Sequence, residues 1–61
     1  MKLVHAKTGI KLQIGDAVTD TRGSTGTIHR LLKTPRVLIK DDKTGMYVSH
    51  LPQSINAKWE I

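Results

Sequence analysis

The chain predicts an all-β protein, folded as a small and strongly bent barrel, and three observations lead to that expectation. No window of its 61 residues sustains the 3.6-residue apolar period of an amphipathic helix. Short runs rich in Val, Ile and Leu recur instead, each bounded by Gly, Pro or Asp. The segment from Gly15 to Ile28 reads as a turn, a strand, a glycine-punctuated loop and a second strand that begins on a glycine. A small barrel needs such sharp bends, because its strands coil tightly around few side chains.

In chain order, Leu3-Val4-His5-Ala6 forms a short strand that turns through Lys7-Thr8-Gly9. Ile10, Leu12 and Ile14 alternate with Lys11 and Gln13, the period of a half-buried strand. Gly15 can reverse the chain at positive φ, and Asp16 can hydrogen-bond the same turn. Ala17-Val18-Thr19 follows with Val18 inward, then the loop Gly23-Ser24-Thr25-Gly26, in which Gly26 marks a bulge or a close backbone approach. Thr27 to Leu32 is the next strand; alternation breaks over Ile28-His29-Arg30-Leu31-Leu32, which predicts a bulge or twist. Pro35 ends it, since proline donates no ladder hydrogen bond.

Arg36 to Lys40 is the clearest strand, with Val37 and Ile39 on one face. Asp41 to Gly45 turns into Met46 to His50, and Leu51-Pro52-Gln53-Ser54-Ile55 reads as one 3₁₀ turn. The last strand places Ala57, Trp59 and Ile61 on one face, with Trp59 in the core and Tyr47 partly exposed on the preceding strand. These elements divide a single domain, residues 1–61, into an N-terminal strand or hairpin (1–14) added to a barrel (15–61).

A chain this short buries only about 60% of the surface its unfolded form exposes. With no cysteine, neither a disulfide nor a cysteine-type zinc site adds stability, and a weak homodimer would contribute some. Absence of cysteine fits a reducing cytoplasm. No apolar run approaches the length of a signal peptide or a membrane span, so the expectation is a cytoplasmic protein with no membrane partner.

Charge carries the functional reading. Ten Lys and Arg against five Asp and Glu give a net charge of +5, a field that attracts polyanions. His29, Arg30, Lys33 and Arg36 fall around one hairpin, with Arg22 in the glycine loop, while Asp16, Asp20, Asp41 and Asp42 cluster elsewhere. The expectation is a non-enzymatic module contacting RNA or DNA backbone through Arg22, His29, Arg30, Lys33 and Arg36, weakly sequence-specific and salt-dependent. Only Tyr47 and Trp59 are aromatic, and one exposed ring does not make a stacking platform. The alternative is a protein-protein adaptor that uses an apolar groove of Leu31, Leu32, Tyr47 and Leu51, or an open strand edge.

No catalytic or metal site is expected, and no cofactor. His5, His29 and His50 are widely spaced with no motif to orient them. Ser49 and His50, as strand neighbours, should point to opposite faces and not meet as nucleophile and base. Gly23-Ser24-Thr25-Gly26 lacks the lysine and the helix of a phosphate loop.

Gly15-Asp16-x-Val18, then Gly23-x-x-Gly26-x-Ile28 and Val37-Leu38-Ile39, together resemble the KOW motif over roughly two-fifths of the chain. That resemblance implies an SH3-like five-stranded barrel that binds RNA or protein, as KOW modules do in ribosomes and RNA polymerase complexes. It matches Gly26 to the motif's central glycine, Val18 and Ile28 to core positions, and Arg22 to a loop position that is often basic. The chain departs from the pattern in a short first loop and in basic residues concentrated after Ile28. The full layout, with Lys7-x-Gly9-x-x-Leu12-x-x-Gly15-Asp16-x-Val18 and the ending Lys58-Trp59-Glu60, is also similar to short uncharacterised phage and prophage proteins.

Overall fold

The computed structural model describes every residue from Met1 to Ile61. Six strands form: β1 (Lys2–His5), β2 (Ala17–Thr19), β3 (Thr25–Leu31), β4 (Val37–Asp41), β5 (Tyr47–His50) and β6 (Ala57–Glu60), with a 3₁₀ turn over Pro52–Ile55. The fold is all-β, in two antiparallel sheets that strand pairing does not close into a barrel. One is the meander β2-β3-β4-β5, the other the pair β1-β6.

The core lies where the two sheets meet. Period-2 alternation turns Val18, Ile28, Val37 and Ile39 inward, where they form one cluster with Leu3, Leu12, Ile55 and Ala57. Ile28 stands directly opposite Ile39, and Gly26 opposite Asp41. Gly26 is the close approach anticipated from its place at the strand start: a Cβ built there would lie 2.5 Å from Ile39 Cγ2 and 2.9 Å from the Lys40 carbonyl. Trp59 packs half-buried against the cluster and donates its indole N–H to the Pro35 carbonyl at 2.9 Å.

The irregularity expected near the end of β3 is a β-bulge. Ile28 pairs with Ile39, but Arg30 pairs with Leu38, which leaves His29 as the extra residue. A regular strand through the same sequence would turn Arg30 to the core side, two residues after Ile28. The inserted residue shifts the alternation by one, so Arg30 shares the outer face with Leu38, and Leu31 pairs with inward Val37.

The two Lys-Thr-Gly turns are the same local structure. Gly9 donates to the His5 carbonyl and Gly45 to the Asp41 carbonyl, each at 2.8 Å. His5 Nδ1 accepts from the Lys7 amide as Asp41 Oδ1 accepts from the Lys43 amide, and the threonine hydroxyl of each turn accepts from the residue after its glycine. Both glycines sit at φ 73°, a region a side chain makes costly.

Three expectations are corrected. The N-terminal strand is no addition to a barrel spanning 15–61: β1 pairs along its whole length with β6, and Leu3 and Val4 are almost wholly buried. Ile10 to Ile14 forms no strand; only Lys11 bridges to Val4, and Ile10 and Ile14 are exposed. The Gly15-Asp16 turn peels this segment away, with Asp16 accepting the Gln13 amide at 2.9 Å, so Leu12 alone reaches the core. Ile61 lies beyond the last β6 pair, fully exposed, and does not share a buried face with Ala57 and Trp59.

Candidate nucleic-acid interface

The outward face of the four-stranded sheet is built in three rows, one of them Thr19 and Thr25 on β2 and β3. Pairing sets Ala17, Thr27, Lys40 and Tyr47 side by side across β2 to β5. The next row holds Arg30, Leu38 and Ser49, with the bulged His29 between these two rows. Arg36, just before β4, folds onto this face: its Nε donates to Ser49 Oγ at 2.6 Å and an Nη to the Ser49 carbonyl at 3.2 Å. That bidentate grip fixes the guanidinium on the sheet. Lys33 is exposed in the connection between β3 and β4, closed by hydrogen bonds from Arg36 to Lys33 and from Leu32 to Arg36.

Four of the expected residues therefore share a region: His29, Arg30, Lys33 and Arg36. Lys40, which sequence reasoning passed over, joins them because its register partner on β3 is outward-facing Thr27. The signal was present in the alternation of Val37 and Ile39 with Leu38 and Lys40. The only ion pairs in the molecule are Arg22 with Asp20 and Lys58 with Glu60, so Arg30, Lys33, Arg36 and Lys40 have no carboxylate partner. The acidic group that meets this face is Asp42, which accepts from the Thr27 hydroxyl at 3.4 Å at its margin.

Arg22 is separated from this set. It lies in the β2–β3 loop on the inward side, in a cleft with Asp20, Asp41, Val48 and His50, and its guanidinium is 3.6 Å from Asp20. Partial desolvation pushes the Asp20 carboxyl up, but the Ser24 and Arg22 amides and the charges of Arg22 and His50 outweigh it and hold the group below the usual range. The Thr44 and Lys43 amides depress Asp41 in the same direction, against partial desolvation, with the Thr44 hydroxyl and Lys43 charge adding to them. Arg22 thus serves an acid-bearing loop and not the basic face. Ser49 and His50 stand on opposite faces, Ser49 with Arg36 and His50 in the cleft. No three His, Cys, Asp or Glu side chains converge closely enough to hold a metal ion.

The expected apolar groove does not form as one surface. Tyr47 is on the basic face, its ring centroid 4.6 Å from that of His29. Leu31, two residues along β3 from His29, instead lines a separate groove with Met1, Leu12, Ile14 and Trp59. Leu32 and Leu51 are half-buried. Both β2 and β5 are edges of the sheet with no strand on their far sides; on β2 the Thr19 carbonyl accepts from Asn56 Nδ2 at 2.7 Å. No helix is long and apolar enough to cross a membrane. Comparisons with protein-family profiles, with curated proteins and with solved structures find no match for this chain.

Proposed function

We propose that this chain is a small basic module of the SH3-like, KOW type that grips the backbone of RNA or DNA with the outer face of its four-stranded sheet. The observation that carries the reading is the set of cations Arg30, Arg36 and Lys40 on that face, with Lys33 exposed in the adjoining connection, and no carboxylate paired to any of the four. Structural ion pairs neutralise surface cations in place; unpaired ones on one face present a field to a polyanion. The meander followed by a 3₁₀ turn and a last strand that returns to β1 supports the SH3-like assignment.

The test is charge reversal. Arg30→Glu, Lys33→Glu and Arg36→Glu together abolish binding to a short oligonucleotide while the amide NMR spectrum stays dispersed. Removing any one of the four cations should flatten the log–log salt dependence of affinity by roughly 0.7 on single strands and 0.9 on duplex DNA. Unchanged affinity after the triple reversal sinks the reading.

A second reading, the protein adaptor, is favoured by a separate observation. The groove of Met1, Leu12, Ile14, Leu31 and Trp59 also carries Lys2 and Lys11 and no carboxylate. Its chemistry suits an extended peptide of another protein with an apolar side chain between acidic ones. Trp59, the one tryptophan, lines the groove and reports occupancy by its fluorescence. Addition of such a peptide shifts the emission and Leu31→Asp removes the shift. An emission shift that instead tracks protein concentration without peptide indicates a second copy as the occupant.

A further inference from the structure

On the basic face the exposed Tyr47 ring does not stand alone as the aromatic count suggested: His29 lies against it, with Lys40 beside Tyr47 and Arg30 beside His29. The ring centroids lie 4.6 Å apart with planes tilted at 55°, a contact distance for aromatic rings. Tyr47 is half exposed, and His29 is exposed as well. The bulge creates the pair: without the extra residue, β3 would have no side chain between outward Thr27 and Arg30 to reach toward β5. Lys40 is the direct cross-strand neighbour of Tyr47, and Arg30 adjoins His29 in sequence and shares the row of Ser49, which holds Arg36.

We infer that this face takes single-stranded nucleic acid, with an unstacked base laid on the Tyr47–His29 pair and the adjoining phosphates held by Lys40, Arg30 and Arg36. This rests on the backbone-binding reading above and adds to it a choice of ligand. The geometry disfavours a duplex for two reasons. A base in a duplex has both faces covered by its neighbours, so a ring on a protein surface has no base face to meet. Four strands also span about 14 Å across three strand spacings, too broad a platform to enter a major groove about 12 Å wide, which admits a two-stranded ribbon. A splayed single strand presents each base face in turn, and an exposed ring beside fixed cations is the arrangement that receives it. Stacking of this kind is tolerant of base identity, so sequence preference should be slight.

The experiment measures affinity for four probes: an oligouridylate, an oligothymidylate of equal length, an abasic oligomer of the same charge, and a short DNA duplex. The wild-type chain should hold both single strands more tightly than the abasic oligomer, which offers phosphate and no ring. Tyr47→Ala should weaken single-strand binding by roughly tenfold and bring it level with the abasic oligomer, while Tyr47→Phe retains it. Arg30→Glu should weaken binding to every probe together. If Tyr47→Ala leaves single-strand affinity unchanged while Arg30→Glu still weakens it, stacking is overturned and backbone binding stands. If the wild-type chain binds no probe at low salt, the backbone reading itself fails and this inference with it. A stronger response to either oligouridylate or oligothymidylate tells RNA from DNA as the source of the strand.

Discussion

Gly26 shows how little room this molecule has. Its missing side chain lets β3 lie against Ile39 and the Lys40 carbonyl, and no rotamer relieves a Cβ placed 2.5 Å from a packed methyl group. Gly26→Ala should lower unfolding free energy by about 1–3 kcal/mol in urea titrations, the range for overpacking a tight core. The loop carboxylates act differently. Asp20 Oδ1 accepts the Arg22 and Ser24 amides and Asp41 Oδ1 accepts the Lys43 and Thr44 amides, bonds that favour the charged form and keep both groups below their usual value of 3.8. A carboxylate with a depressed folded pKa contributes stability that is full above its unfolded value and lost as pH falls through the folded one. Thermal unfolding should therefore shift downward below about pH 4, with the unfolded value near 3.8 setting the upper end of the window. Asp20→Asn and Asp41→Asn should each make that acid-side decline shallower, and a decline of unchanged steepness in both variants would assign it to other groups.

At the scale of elements, β3 is where structure becomes a surface. Its first half is an ordinary inward-outward strand, with Gly26 and Ile28 buried; its second half, after the bulge, presents His29 and Arg30 to the outside. Deleting His29 should leave Ile28 and Arg30 opposite Ile39 and Leu38 in a regular ladder with Arg30 still outward, and lower affinity for oligonucleotides through the lost imidazole and the altered local twist. Comparison with His29→Ala separates the two effects, since that substitution keeps the bulge. The turn between β4 and β5 fixes the register that sets Tyr47 beside Lys40, through the same hydrogen bonds that the Lys7-Thr8-Gly9 turn makes. Two copies of one tripeptide build one loop geometry because the bonds are local: a side-chain acceptor at the strand end, a threonine hydroxyl and a glycine at positive φ.

At the scale of the whole molecule, the two-sheet arrangement depends on β1. Leu3 is 1% exposed and Val4 wholly buried, and the backbone of β1 also receives the Leu12 amide, so the strand ties the last element to the segment after the first turn. A domain of this size commonly has about 3–9 kcal/mol of stability. Leu3→Ala should remove about 2–5 kcal/mol of it, enough to leave a large unfolded fraction in circular dichroism at physiological temperature. A loss under 1 kcal/mol would mean that the meander stands without β1. The strands β2 to β6, the bulge, the 3₁₀ turn and the inward set Val18, Ile28, Val37 and Ile39 were legible in the residues, because alternation, β-branching and glycine at turns are local properties. The gathering of His29, Arg30, Lys33 and Arg36 was legible for the same reason, as neighbours along one hairpin. What lay beyond the sequence depends on pairing between distant segments. Only β1 finding β6 makes the N-terminus part of the core, only the cleft against β5 takes Arg22 away from the basic face, and only cross-strand register sets Tyr47 and Lys40 among those cations. Periodicity says which side of a strand a residue occupies, but which strand lies beside it is decided by burial shared across the whole chain.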